Sequence, residues 1–331
     1  MLYTIQPNIH RVTVRLPENP LKSLNSYIIT GGERNLIIDT GFNRPECLHD
    51  LMEGIRALDI DLRKTDIFLT HLHADHSGLA PKIATPESRT YMSTTDSEIL
   101  RWIIEEPETH WNLAETVFGA EGYPADELAL AKIHSPARKY VSEVLPHITT
   151  VQNGDLLPYG GGQLRCVFTP GHTPGHTCLY DAERKILFSG DHILFDITPN
   201  ITTWHTLPNS LFHYMQSLRQ ISELPVAMVL SAHRENDGDF QQRVAQLLRH
   251  HQKRLAEAWQ IIADSPGING YDVASRMKWS IRTKDWQHFP PGQRWFAVGE
   301  ALAHLNYLVD NKFITRTMCD GLNTYTVAQP I

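Results

Sequence analysis

Cysteine is scarce in this chain of 331 residues: Cys47, Cys166, Cys178 and Cys319 lie far apart and form no C-x-x-C pair. That spacing excludes a disulfide framework and a cysteine-built zinc site. It suits a reducing compartment, so a cytoplasmic protein is expected. Long apolar runs are missing as well: no stretch nears the roughly 20 residues needed to cross a bilayer. The opening Met-Leu-Tyr-Thr-Ile-Gln-Pro-Asn has no charged segment leading into an apolar one, so neither a span nor a signal peptide is expected. Repeats and low-complexity tracts are absent too. With 41% hydrophobic and 20% charged residues, the composition is that of a globular protein, not a disordered or fibrous one. Histidine is what abounds, 18 residues against 7 methionines. It is the commonest metal-binding side chain, so its excess needs an explanation.

Charge divides the chain. The formal net charge of −7 combines −11 over residues 1–239 with +4 over residues 240–331. The change follows the polar run Arg234-Glu-Asn-Asp-Gly-Asp239, which places a domain boundary near residue 240. In the first part, Val12, Val14 and Leu16 alternate with polar residues as in a half-buried strand. Ser26–Ile29 and Asn35–Asp39 are further strands joined across Gly31-Gly32. Leu48, Leu51, Met52, Ile55 and Leu58 have helical spacing, and Asp66–Thr70 is a short buried strand. Residues 94–145 read as mostly helical, with breaks at Pro107, Gly119, Gly122 and Pro124. Strands return at Leu164–Thr169, Thr177–Asp181, Lys185–Ser189 and Ala227–Leu230, with a helix at Leu211–Leu224. Antiparallel strands followed by alternating strands and helices predict stacked sheets with helices outside, an α+β layered domain. The second part reads as helices over 240–262, 269–279 and 294–312, then a hairpin over 314–327 centred on Asp320-Gly321. That is a winged-helix-like, mainly α pattern.

Several histidines fall into one motif. Thr70-His71-Leu-His73-Ala-Asp75-His76-Ser-Gly78 puts four metal-type ligands within six residues, directly after a strand. Imidazoles with a carboxylate suit zinc or iron; calcium and magnesium prefer all-oxygen shells. Further candidates stand at other strand ends: His172 and His176 in Thr-Pro-Gly-His-Thr-Pro-Gly-His, Asp191 and His192 after Phe188-Ser-Gly, and His233 after Leu230-Ser-Ala. Each of these apolar strands ends in a small residue and then a ligand, and small residues let backbone come close to a site. Strand ends that share one rim would bring them together. His110, His134, His147, His205 and His213 are expected at surface or core positions.

The set H-x-H-x-D-H, then His, Asp and His, resembles the metallo-β-lactamase superfamily of hydrolases over about residues 8–236. The resemblance implies a four-layer αββα sandwich over residues 1–239, with a helical insertion at about 94–145, and a two-metal site at one edge. It implies His71, His73 and His172 as ligands of one metal, Asp75, His76 and His233 as ligands of the other, and Asp191 as the carboxylate bridging both. Asp39, in Ile38-Asp-Thr-Gly41, matches a carboxylate that supports the ligands from behind. His176 is read as a supporting residue, and His192 is expected to point away from the metals. Two zinc ions are implied, with iron or manganese as alternatives. Residues 240–331 resemble, through Ala301–Arg316, a winged-helix appendage found on one branch of the superfamily.

The implied chemistry is hydrolysis: a metal-bridging hydroxide attacks an activated ester, with Asp75 and Asp191 as its catalytic carboxylates. A thioester is the expected bond, because the Thr-Pro-Gly-His-Thr-Pro-Gly-His run and Ser189-Gly-Asp191 are similar to glyoxalase II-like thioesterases. They are also similar to quorum-quenching lactonases, which makes lactone hydrolysis an alternative. The segment His192–Asn200 lacks the Lys and Tyr that glyoxalase II uses to hold glutathione, and Leu194 stands where many lactonases carry a tyrosine. Trp102, Trp111, Phe118 and Tyr123 either wall an acyl pocket or pack the insertion. A metal-dependent endoribonuclease acting on single-stranded RNA is the other alternative, through Arg276, Lys278, Arg282 and Lys284. The acidic larger part would repel a phosphate backbone, so the expected partner is a small acyl substrate, not nucleic acid or membrane. A homodimer is compatible with the sequence.

Overall fold

The computed structural model describes residues 1–145, 147–281 and 283–331. Two compact units emerge. The first comprises Met1–Glu105, Tyr140–Pro199 and Ser217–Val244; the second comprises Glu106–Lys139, Asn200–Gln216 and Ala245–Ile331. The last break lies a few residues from the charge change near residue 240. Residues 106–139, most of the expected insertion, belong to the second unit.

In the first unit, short runs of β-branched and aromatic residues form two sheets. One contains β1 (Leu2–Gln6), β2 (Ile9–Arg15), β3 (Ser23–Ile29), β4 (Asn35–Ile38), β5 (Thr65–Phe68), β6 (Thr90–Ser93) and β7 (Ile148–Val151), in that order. The other contains β8 (Leu156–Leu157), β9 (Leu164–Phe168), β10 (Thr177–Asp181), β11 (Ile186–Gly190) and β12 (Met228–Ser231), ordered β12-β11-β10-β9-β8. Tyr27, Ile38 and Phe68 of the first sheet and Leu179, Phe188 and Leu230 of the second share one buried core. Within it, Tyr27 meets Phe188 edge to face at 5.6 Å.

Strand direction positions the site. From β4 to β7 the strands are parallel. In the second sheet β10 is antiparallel to both neighbours and β11 is parallel to β12, so β9, β11 and β12 run one way. Their C-terminal ends therefore share an edge. There the sheets are stitched together: Thr177 N–H donates to Thr70 O (2.9 Å) and Asn25 N–H to Ala232 O (2.7 Å).

Helix α1 (Pro45–Ala57) begins with proline at its first turn and buries Leu51, Gly54 and Ile55 towards β2. Short helices α2 (Ala74–Ser77) and α3 (Ala80–Ile83) follow β5, and α4 (Thr94–Glu105) follows β6. The strands β1, β6, β7 and β8 escape the sequence pattern. They have two to five residues each, and β6 is buried at all four positions, so no alternation survives.

The second unit holds α5 (Pro107–Ala120), α6 (Ala125–His134) and most of α7 (Pro136–Tyr140). Helices α8 (Ser210–Ser222) and α9 (Phe240–Asp264) each run from one unit into the other. The remainder is β13 (Ile268–Asn269), α10 (Gly270–Arg276), α11 (Pro291–Asp310), β14 (Ile314–Cys319) and β15 (Leu322–Val327). Helices α9, α10 and α11 with a sheet ordered β13-β15-β14 match the winged-helix-like pattern expected from the sequence. The aromatics of the insertion find their partners inside this unit. Phe118 stacks on Trp295 at 4.0 Å, Trp111 lies 5.7 Å from Trp295, and Tyr123 lies 5.0 Å from Tyr271. Helix α11 buries Ala297, Val298, Ala301, Leu302, Leu305 and Leu308, so apolar residues cover more than one face. Among the described residues no helix is long and apolar enough to cross a membrane.

Two outcomes follow for stability. A Cβ on Gly54 would sit 2.9 Å from Val12 Cγ1. Alanine gains about 1 kcal/mol of helix propensity, whereas overpacking costs about 1–3 kcal/mol. Gly54→Ala is therefore expected to lower the urea midpoint, and Val12→Ala added to it to recover part of the loss. The buried pair His251 and His304 sets a pH dependence. His304 Nδ1–H donates to Glu300 O (2.7 Å), and His251 Nδ1 lies 3.2 Å from His304 Nε2. Burial first, then the neighbouring positive charges, holds His251 well below its usual value; burial also takes His304 down to about 3. The unfolded chain then takes up protons that the folded one refuses. Each histidine removes up to about 1.4 kcal/mol per pH unit as pH falls below about 6.5. Urea midpoints at pH 7.5 and 5 should fall less steeply in His251→Gln than in the original chain.

Candidate metal centre

Asp39 follows β4 with φ +59°, a left-handed turn that ends the strand. Its carboxylate accepts from Thr70 N–H at Oδ1 (2.9 Å) and from Thr70 Oγ1–H at Oδ2 (2.8 Å). Oδ2 also accepts from His76 Nδ1–H (2.8 Å). Because Thr70 Oγ1 gives its proton to Asp39, it accepts from His71 Nδ1–H (3.0 Å). Both histidines thus donate from Nδ1 and turn Nε2 towards the site. His233 is held the same way, its Nδ1–H donating to Ser23 O (2.8 Å). One buried carboxylate and one backbone carbonyl therefore set three tautomers.

The side chains converge in three groups whose ligand atoms lie within 4.8 Å of one another: His71, His73 and His172; His71, His76 and Asp191; and Asp75, His76 and His233. His73 Nδ1 lies 3.0 Å from both His71 Nε2 and His172 Nε2. A single proton on His73 Nδ1 serves at most one of these contacts well. Asp191 faces two ways: Oδ2 lies 3.5 Å from His172 Nε2, and Oδ1 lies 3.4 Å from His233 Nε2 and 3.6 Å from His76 Nε2. Asp75 Oδ2 lies 3.4 Å from His233 Nε2. His76 Nε2, His233 Nε2 and Asp191 Oδ1 are buried without a hydrogen-bond partner. Buried polar atoms without partners cost several kcal/mol, so this ligand set fits a bound cation, and its nitrogen and carboxylate chemistry fits zinc, iron or manganese.

Electrostatics agree with the geometry. Burial, and then His76, His73 and His172 around it, drives His71 well below its usual value. Loss of water and the neighbouring His172 take His73 down to about 3. Burial opposes charge on His76 too, but Asp39, Asp75 and Asp191 outweigh it and raise His76 to about 10. One half of the site resists a proton and the other attracts positive charge.

The structure thus brings together all seven residues expected to bind metal, with Asp39 behind them. His176 Nδ1–H donates to Thr169 Oγ1 (2.8 Å), and His176 Nε2 accepts from Asp191 N–H (3.2 Å). Both nitrogens are engaged, so His176 orients Asp191 through its backbone. His192 is buried, 5.8 Å from the His176 ring, and belongs to none of the three groups. Sequence reading passed over Thr70, Thr169 and the Ser23 carbonyl. The small residue directly before each ligand run was the available signal for Thr70.

A sequence profile of the metallo-beta-lactamase superfamily matches residues 20–233. The chain belongs to this superfamily. Its fold is also that of a metallo-beta-lactamase family protein from Thermus thermophilus, with a TM-score of 0.82 and 25% identity over 98% of this chain and 100% of that one. It is 22% identical to lactamase-like protein aptB of Emericella nidulans over 74% of this chain and 62% of that protein. It is 27% identical to an atrochrysone carboxyl ACP thioesterase of Aspergillus fumigatus over 76% of this chain and 63% of the relative. The match thus spans less than two thirds of either fungal protein.

Gly190 tests the support. It has φ +49°, and a Cβ there would lie 2.8 Å from His176 Nε2 and from Thr70 Oγ1. Gly190→Ala is expected to cost about 2–4 kcal/mol, from left-handed backbone strain and overlap together. Thermal denaturation with metal analysis of the same samples checks this, with reduced metal content expected as well.

Proposed function

We propose that this chain is a two-zinc hydrolase of small activated esters, with thioesters as the main substrate class. The observation that carries this reading is the two-sided Asp191: one oxygen faces the His172 group and the other faces His76 and His233. His71, His73 and His172 would hold one ion, Asp75, His76 and His233 the other, with Asp191 bridging both. The chemistry such a pair of divalent ions would supply is polarisation of a carbonyl and a water pKa lowered towards 7. The seven side chains would hold that centre at the edge where the strands end. Asp75 would also orient the attacking water or relay its proton. Water attack at the carbonyl carbon breaks the carbon–sulfur bond and releases a carboxylate and a thiol, so no protein nucleophile is needed. Three of the four cysteines fit that account: burial pushes the Cys47 thiol up to about 11 and those of Cys166 and Cys178 up to about 12.

Thioesters are favoured over other esters by the likeness to a protein named as a carboxyl ACP thioesterase. The winged-helix part speaks against nucleic acid. The helix that such a part would lay in a groove, α11, is buried along Ala297–Leu305. Arg276 donates to Ser265 Oγ (2.6 Å), and Arg282 lies outside the described residues.

Zinc-loaded protein is expected to hydrolyse acyl-CoA or acyl-pantetheine thioesters faster than matched lactones, and to leave labelled single-stranded RNA intact. His73→Ala and Asp75→Ala should each lower kcat/KM by about 100-fold or more. A chelator should abolish turnover and added zinc should restore it. RNA cleavage that depends on His73, with no thioester turnover, would replace this reading with the endoribonuclease one.

A further inference from the structure

Asp96 is a buried carboxylate that the centre described above does not use. It stands in the first turn of α4, where its own N–H donates to Ser93 Oγ (3.2 Å). Its side chain reaches two separate loops. Oδ2 accepts from Leu72 N–H (3.0 Å) and from Thr173 Oγ1–H (2.6 Å); Oδ1 accepts from Gly175 N–H (2.6 Å). Leu72 lies between His71 and His73, and Thr173 follows His172. The carboxylate therefore ties the loop carrying two histidines of one metal group to the loop carrying the third.

Geometry and charge both demand this residue type. The two backbone N–H groups lie beyond β5 and β9 and have no sheet partner there. Two acceptors a fixed distance apart on one rigid group satisfy both and set the gap between the loops. Bonds to an ionised acceptor are about twice as strong as neutral ones. Burial pushes the Asp96 carboxyl up to about 6, and its three donors work against any further rise. The approach leaves no room for a side chain on the facing loop. A Cβ on Gly175 would lie 2.6 Å from Asp96 N and 2.8 Å from Asp96 Oδ1. That contact accounts for the glycine between His172 and His176.

We propose that Asp96 is a positioning residue of the metal centre, a clamp that sets His172 against His71 and His73 by holding their two loops together. This rests on the reading of those histidines as metal ligands. The group is outside the ligand shell and acts through backbone N–H groups, so its effect appears in metal affinity and ligand geometry before it appears in chemistry.

The test uses the full chain. Zinc affinity is measured by competition with a chromophoric chelator, and ligand geometry by the visible spectrum of the cobalt-substituted protein. Asp96→Ala is expected to weaken zinc binding about 10–100-fold and to change the cobalt spectrum. Asp96→Asn, which keeps one acceptor oxygen, should fall between. If Asp96→Ala fails to fold, Thr173→Val removes a single bond at nearly constant shape and should give a smaller loss in the same direction. Hydrogen exchange of the metal-free protein supplies an independent readout: residues 71–76 and 171–176 should exchange faster in Asp96→Ala while β2 and β10 stay protected. Unchanged zinc affinity and cobalt spectrum in a folded variant would overturn the clamp. So would a loss of affinity accompanied by faster exchange throughout the sandwich, which marks general destabilisation. Failure of the unaltered protein to take up zinc or cobalt would overturn the metal-centre reading, and the clamp's function with it.

Discussion

Lone pairs that face one another with too few protons to share are the constraint on which the rest of this molecule depends. His73 Nδ1 lies 3.0 Å from the Nε2 atoms of both His71 and His172, and His76 Nε2, His233 Nε2 and Asp191 Oδ1 are buried with no hydrogen bond between them. Such atoms are costly to bury together, and three of the side chains, His71, His76 and His233, are held from behind. Asp39 takes the protons of His76 and Thr70, Thr70 takes that of His71, and Ser23 O takes that of His233. The fold spends its polar contacts on holding acceptors together, which is the signature of a place reserved for a cation.

The sandwich makes this possible through strand direction. Ligands separated by up to about 160 residues of sequence meet because β5, β9, β11 and β12 all deliver their C-terminal ends to one edge, where Thr177 and Asn25 link the sheets. The turns there are polar and irregular, and the core of Tyr27, Phe68 and Phe188 behind them is fully buried. A site built on loops is thus precise because its loops are pinned to a packed scaffold. The second unit follows a different logic. It gathers three separate segments around buried aromatics, and its winged-helix topology is used for packing along α11.

Much of this was legible beforehand. His71, His73, Asp75 and His76 stand out because a short span after a strand carries four ligand types. His172, Asp191 and His233 stand out because each follows a strand and a small residue. Residues 106–139 were harder. Their helical pattern was plain, but membership in the second unit depends on Trp295 and Tyr271, more than 140 residues away in sequence. Strands such as Thr90–Ser93, buried on both faces, carry no alternation to read. Asp96 gave no signal at all, since a single acidic residue at the start of a helix reads as an ordinary favourable charge.

The sequence by itself determined which metal-type side chains the chain carries, the order in which it supplies them, and the family to which that order belongs. Those features are local, fixed by residue type and spacing next to a strand. Tertiary structure alone decided which nitrogen of each histidine faces the site, which way the two oxygens of Asp191 point, and which carboxylate ties the ligand loops together. Each of these depends on a hydrogen-bond partner brought from elsewhere in the chain, and only the packed sheets bring that partner within reach.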